Sequence, residues 1–496
     1  MTRRLDDLKW ENSFAGLPDR FYQRVTPTPL ANPQLAAFNP DAAALLDLSA
    51  DAATDPDFVA AINGDRPIPG TTPVAAIYAG HQFGVWVPQL GDGRAILLGE
   101  VTNGHHERWD IQVKGSGLTR FSRMGDGRAV LRSTIREYLA GEAMTGLGVP
   151  STRALAIVAS DVPVYRESVE RAALLVRLAP THVRFGNFEV FASRSMPDAV
   201  AQLADHVIER HLPQLLTLPG AERYAAWYRE IVARTARLVA MWTATGFTHG
   251  VLNTDNMSII GITLDYGPYG WMDRYDRGFI PNHSDPAGRY AFDQQPMVGL
   301  WNCARLGEAL HSLISEDDAL SALESYRGIF EGEIDRLMRA KLGLLTSEPD
   351  DQELAAGFLA VLHAARGDYT RSFRALSRFA PRSGDGREPA GASAVREAAE
   401  ESPAIDAWLA RYTQRLIRED SDDVARQRRM LQANPKYVLR NWMAQEVIAA
   451  AEGGDFAPID AMRRIVASPF DEHPDAERYA GRPPAWAADL ALSCSS

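Results

Sequence analysis

His249-Gly-Val-Leu-Asn-Thr-Asp-Asn-Met-Ser-Ile-Ile-Gly-Ile-Thr-Leu-Asp-Tyr-Gly267 is the stretch on which the reading of this chain turns. It follows Glu222–Thr245, where apolar residues recur at helical spacing. A polar loop ending in Asn256 comes next, then a short β interlude, Met257–Leu264, predicted to fold as a hairpin about Gly261. The run closes on Asp265-Tyr266-Gly267. An amide oxygen and a carboxylate are hard donors, suited to a divalent cation that bridges phosphates. The hairpin would bring Asn256 and Asp265 face to face, and a bland buried-polar reading of all these groups together is the weaker one.

The segments upstream supply what such a pair would act on. Gln89–Leu98 reads as a strand, a Gly91-Asp92-Gly93-Arg94 turn and a second strand. Glycine lets backbone N–H groups approach an anion, and Arg94 adds charge, although a plain β-turn has the same composition. Asn103-Gly104 marks another turn. Trp109-Asp-Ile-Gln-Val-Lys114 then alternates as a strand ending on lysine. Lysine is scarce: Lys9, Lys114, Lys341 and Lys436 are four of 52 basic residues, so a lysine inside a motif carries information. Gly115-Ser116-Gly117 and a second glycine turn, Gly125-Asp126-Gly127-Arg128, lead into a helix predicted over 133–145. Glu137 lies on that helix, 23 residues after Lys114. A strand lysine that reaches phosphates and a helix glutamate that holds it are paired parts of a protein-kinase-like small lobe. Both have structural alternatives, a solvated strand end for Lys114 and a capping box, Thr134-Ile-Arg-Glu137, for the glutamate. The order hairpin, lysine strand, glutamate helix favours function.

One position breaks the kinase pattern. The base of a kinase catalytic loop stands five residues before the metal-binding Asn, and that place is Val251. Valine neither takes a proton nor orients a hydroxyl. The nearby carboxylate is Asp255, adjacent to Asn256. The residues alone leave two readings open: a dead kinase, or one doing different chemistry. The signatures G-x-S-x-G, H-E-x-x-H, G-x-x-x-x-G-K and C-x-x-C are absent, and His105-His106 reads as a solvated hairpin tip.

Composition narrows the class further. The 496 residues correspond to roughly three domain-sized units. With 46% hydrophobic and 23% charged residues the chain builds real cores. Its net charge of -12 makes it a poor nucleic-acid binder. No run reaches the roughly 18 apolar residues of a membrane helix, and the acidic N-terminus is neither a signal nor a transit peptide. Two cysteines, Cys303 and Cys494, fit a reducing compartment. The expectation is a cytoplasmic monomer with no nucleic-acid or membrane partner. Along the chain, 1–75 reads as an extension packed on the core, 76–180 as the small lobe and 181–380 as a helical large lobe. A loop or linker at 381–402 precedes a C-terminal helical region, 403–496.

Five stretches together are recognisable: Gly91-Asp-Gly-Arg-Ala95, Gln112-Val-Lys-Gly-Ser-Gly117, His249 to Met257, Leu264-Asp-Tyr-Gly-Pro268 and Asn434-Pro-Lys-Tyr-Val-Leu-Arg-Asn-Trp442. The series closely resembles the selenoprotein O (YdiU) family, from about Trp10 to Cys494-Ser-Ser496. The resemblance implies an α+β, two-lobed protein-kinase-like fold with N- and C-terminal extensions. It implies a protein adenylyltransferase that moves AMP from ATP to Ser, Thr or Tyr hydroxyls of proteins with Mg²⁺ or Mn²⁺, releasing pyrophosphate; UMP from UTP is a related use. The family's nucleotide lies reversed relative to kinases, presenting the α-phosphorus to the acceptor. Carried over, Gly91, Gly93, Arg94, Lys114, Asp126, Gly127, Arg177, Arg184 and Asp265 would bind ATP. Asn256 and Asp265 would hold the metal, Asp255 would be the base, and Glu137 would hold Lys114. A γ-phosphate kinase and a non-catalytic ATP-binding scaffold remain the alternatives. Some bacterial members pair a Cys after Asp-Tyr-Gly with the C-terminal Cys. Here Pro281 stands at that place and Cys303 lies further along, so a disulfide with Cys494 is not expected.

Overall fold

Alternating side chains along the strands sort onto two faces of one sheet, and that sorting places the site. The computed structural model describes residues 3–381, 389–490 and 492. Its strands are β1 (Trp10–Glu11), β2 (Tyr22–Arg24), β3 (Gln34–Phe38), β4 (Val74–Ala76), β5 (Gly80–Gln82), β6 (Val85–Val87), β7 (Ala95–Thr102), β8 (Arg108–Lys114), β9 (Ala129–Val130), β10 (Arg153–Tyr165) and β11 (Val169–Ala179). Among the described residues, nine of them form a sheet in the order β2-β4-β7-β8-β11-β10-β3, with β1 on β7 and β9 on β11. β5 and β6 form a separate hairpin. The fold is mixed α+β.

Successive residues of a strand point to opposite faces. Ile96, Leu98, Ile111, Val113, Leu174 and Val176 share one face, packed with Ala42, Leu46, Phe58 and Ile62 of the first 75 residues. Leu97 and Leu175 take the other face, against Leu131, Ile135, Tyr138 and Leu139 of the helix Leu131–Gly146. Gln112, Lys114 and Arg177 share that second face by parity. The N-terminal segment therefore does more than wrap the core: β1, β2 and β3 pair with β7, β4 and β10.

After β11 the chain is mainly helical. Gly220–Thr245 packs against Gln295–Ala309 and Glu316–Leu342, and a short pair, β12 (Phe247–Thr248) and β13 (Gly270–Trp271), brackets the His249–Gly267 stretch. The last helices, Asn441–Glu452 and Ala457–Ala467, return to pack on Leu131–Gly146.

Three local readings differ from expectation. The strand expected from Gln89 is not formed: β6 ends at Val87, and residues 88–94 lie outside any strand until β7 begins. The predicted hairpin about Gly261 shrinks to a single bridge, Met257 with Thr263. Gly261 does turn, at φ 75°, but the main chain of Thr263 is bonded to Pro150 and Thr152 of a neighbouring segment, which takes up the ladder. Within the predicted linker, Ala392–Ala398 forms a helix, because Ala392 and Val395 find a place in the core around Phe373 and Tyr412. Among the described residues no helix is long and apolar enough to cross a membrane.

One buried charge yields a test of the helical core. Lys341 is 5% exposed, with its Nζ 4.4 Å from the Phe373 ring centre and 5.4 Å from that of Tyr369. Burial pushes its ammonium down to about 7. The unfolded chain then binds more protons between that value and the ordinary lysine range, so the cost of burying Lys341 is full below pH 7 and fades as pH rises toward 10.5. Lys341→Met should raise Tm near pH 6.5, with the gap to wild type narrowing as pH rises from 7 toward 10.5. A gap that does not change with pH would show the ammonium is fully accommodated.

Candidate functional site

A cleft of about 630 Å³ lies between the inner face of the sheet and the His249–Gly267 stretch; its size suits a nucleotide-sized ligand. At its floor is a cluster of buried charge. β8 ends on Lys114, whose Nζ lies 2.5 Å from Glu137 Oε2. The other oxygen, Oε1, accepts from Arg177 of β11 at 2.8 Å. Arg177 stands beside Gln112 in the β8–β11 register and donates to its Oε1 at 2.6 Å. Arg177 and Arg184 then bond the two carboxylate oxygens of Asp265, one each. Arg184 also donates to the main-chain oxygen of Asp255 at 2.7 Å and lies over the Tyr78 ring. Two carboxylates thus bind three cations into one unit.

This network sets the ionisation. Burial alone would raise the Glu137 carboxyl, but Lys114 and Arg177 hold it below the usual range. Burial likewise opposes ionisation of Asp265, and Arg184 with Arg177 outweighs it, holding the carboxyl well below the usual range. Asp255 differs: burial dominates over the pull of Arg184, and its carboxyl is pushed up to about 6. One carboxylate is thus held ionised while burial raises its neighbour toward neutrality.

Local backbone explains the placement. Asp265 has φ 54°, left-handed and sparsely populated for a non-glycine residue. His249 accounts for part of this, its Nε2 lying 2.9 Å from Leu264 O. Asn256 donates its Nδ2 to Val251 O at 2.8 Å, so the main chain of Val251 orients Asn256 where a kinase would use that residue's side chain as base.

Gly91, Gly93, Arg94, Lys114, Asp126, Gly127, Arg177, Asp255, Asn256 and Asp265 all line this cleft. Glu137 and Arg184 stand behind it, 4% and 2% exposed, and act through Lys114, Arg177 and Asp265. Glu137 is not a capping residue, since its helix begins after Val130. Sequence reasoning passed over Arg166, which grips Asp126 through both carboxylate oxygens at 2.8 and 2.9 Å. It also passed over Tyr78, Gln112 and Gln82. Strand parity was enough to find Gln112; the others meet the site from distant sequence. Cys303 is buried, its thiol pushed up to about 12, and so unreactive; Cys494 lies outside the described residues.

Among the described residues no group of three or more His, Cys, Asp or Glu is arranged to hold a metal ion. The Asp265 carboxylate and the Asn256 amide, whose nitrogen is turned to Val251 O, are hard donors at the cleft, with Asp255 beside them. This set fits Mg²⁺ carried in on phosphates, which commonly uses one or two carboxylates and takes other ligands from nucleotide and water. It does not fit a resident, all-protein metal site.

The floor cluster makes its own prediction. Glu137→Ala leaves Lys114 without its carboxylate and takes from Arg177 one of its two, Asp265 being the other, and breaking a buried pair costs roughly 3–5 kcal/mol. Adding Lys114→Met should recover part of that stability. Urea denaturation of the single and double variants compares them; equal stability would show that the cost belongs to Arg177 alone.

The family model for protein adenylyltransferase SelO matches residues 4–466. A protein nucleotidyltransferase YdiU of Myxococcus xanthus is 55% identical over 492 residues, covering 99% of each chain. Its counterpart in Thioalkalivibrio sulfidiphilus is 53% identical over 502 residues, covering 99% of this chain and all of that one. That of Azotobacter vinelandii is 48% identical over 495 residues, the full length of both. The series of motifs along the chain, the cleft they line and these full-length similarities agree: the chain belongs to the SelO family of protein adenylyltransferases.

Proposed function

We propose that this protein transfers AMP from ATP to hydroxyl side chains of acceptor proteins, using a two-lobed, kinase-like arrangement in which the nucleotide lies reversed. The observation that carries the reading is the exchange of roles in the catalytic loop. Val251 occupies the kinase base position, while the buried carboxylate of Asp255, raised to about 6 by burial, lines the cleft beside Asn256. A second observation supports the reversal. Lys114 and Arg177 at the cleft floor, backed by Arg184, form a cationic end suited to β- and γ-phosphates. With those phosphates deep, the α-phosphorus faces the Asp255 side.

In this reading Asp255 takes the acceptor hydroxyl proton as the oxygen bonds to the α-phosphorus. The bond from that phosphorus to the bridging oxygen breaks, and pyrophosphate leaves with the electron pair. Arg177 and Lys114 stabilise the charge that develops on it. Gly91, Gly93, Asp126 and Gly127 line the cleft where the phosphates would lie, and Arg94 beside them adds positive charge. Asn256 and Asp265 would hold Mg²⁺ or Mn²⁺, which when bound supplies positive charge to the phosphates. Asp265, fixed by two arginines, keeps a lone pair on each oxygen for this purpose.

Incubation of the protein with ATP labelled separately at the α and γ positions tests the reading directly, with UTP run in parallel. Label should appear on protein from the α position only; γ label would assign a kinase, and no label a binding scaffold. Asp265→Ala should lose more than about 10²-fold in transfer, the scale of removing an electrostatic stabiliser, and Asp255→Ala should abolish it. Val251→Asp places a like charge beside Asp255 and Asp265. It should lower AMP transfer and produce no γ-phosphate transfer, and gained kinase activity would sink the reversed nucleotide.

A further inference from the structure

The β5–β6 hairpin is inserted in the chain just before the Gly91 turn, yet its contacts are with the catalytic loop. Its two-residue turn, Phe83-Gly84, has φ of 52° and 79°, both positive as a type I′ turn requires. Main-chain bonds pin it: His81 N donates to Thr254 Oγ1 at 2.7 Å, and Phe83 N donates to Asn253 Oδ1 at 3.1 Å and to the Tyr290 hydroxyl at 2.9 Å. His81 Nδ1 also lies 2.7 Å from the buried Glu189. The hairpin is therefore held without help from the Gln82 side chain.

That side chain does something else. Gln82 Nε2 donates to Asp255 Oδ2 at 3.1 Å. The other oxygen, Oδ1, is buried with no hydrogen-bond partner. It faces Gly80, where a Cβ would come within 2.9 Å of it. One residue of the hairpin grips one oxygen, and another, by lacking a side chain, makes room for the second. Arg184 fixes the main chain of Asp255 at 2.7 Å but leaves rotation of the carboxylate free.

We infer that Gln82 is a positioning residue that sets the orientation of the Asp255 carboxylate toward the acceptor hydroxyl, with Gly80 as the gap that permits it. The inference rests on the reading of Asp255 as the base. A carboxylate oxygen accepts more than one hydrogen bond, so the amide holds Oδ2 while a lone pair stays available to the hydroxyl. Fixing a reacting group in this way acts on turnover, and small displacements there cost large factors in rate. Because the hairpin leads within a few residues into the phosphate-binding turn, one stretch of chain addresses both the base and the nucleotide.

The test uses the full chain, α-labelled ATP and dephosphorylated casein as acceptor. Gln82→Met keeps the length of the side chain and removes the donor; Gln82→Asn keeps the amide and shortens its reach. Both should lower kcat roughly tenfold or more, with the Kd for Mg-ATP and Tm close to wild type. Asp255→Asn supplies the control, and adding Gln82→Met to it should cause no further loss, since Gln82 acts through that carboxylate. Variants that turn over like wild type, or a double variant whose losses multiply, would overturn the role of Gln82. A fall in kcat accompanied by an equal weakening of ATP binding would do the same, marking Gln82 as a structural pin. Undiminished transfer by Asp255→Asn would instead overturn the base reading, and the inference with it, so the two failures are told apart.

Discussion

The interaction on which this structure depends is the pairing of Glu137 and Asp265 with Lys114, Arg177 and Arg184. Each of these groups comes from a different element: a helix, a loop, two strands and the turn after β11. None can be buried alone, because an unpaired interior charge costs several kcal/mol. The helix Leu131–Gly146, the sheet and the His249–Gly267 stretch are therefore compelled to meet in one geometry. The cleft is what remains above that meeting point, and its cationic floor follows from the same count of charges.

Elements remote from the cleft serve this geometry. Arg136, next to Glu137, donates to Tyr269 O at 2.9 Å and to Asn441 Oδ1 at 3.2 Å, and its guanidinium stacks on the Tyr269 ring. The glutamate helix is thereby tied both to the segment after Asp265 and to the C-terminal region. Arg440, one residue before Asn441, is buried and bonded to both oxygens of Asp368 at 2.9 and 2.8 Å. Arg463 reaches Asp41 of the N-terminal segment at 2.9 Å. The Asn434–Trp442 motif lies away from the cleft lining and ties down the helix that carries Glu137.

Much of the site was legible in sequence, for reasons that can be named. Lys114 and Glu137 stand on elements whose type follows from periodicity, and scarcity of lysine drew attention to one of them. Asn256 and Asp265 are close in the chain, so a short turn suffices to join them. Val251 was visible as a gap in a pattern. The alternation about Gly261 is real, yet a neighbouring segment takes the hydrogen bonds and leaves a single bridge in place of a hairpin. Ala392–Ala398 was underread, since its composition is that of a loop and only packing against the aromatic core makes it a helix.

By itself the sequence determined the alternation of the strands, the helix carrying Glu137, the order of the chemical groups and hence the family. It determined these because they depend on spacing over a few residues. The tertiary structure decided the rest: that Glu137 serves two cations, that Arg184 stands behind Asp265, and that Gln82 touches Asp255 across 173 residues of chain. Contacts of that kind come from the burial of charge, where each group must find whichever partner the packed chain brings within reach, and no local pattern records which one it will be.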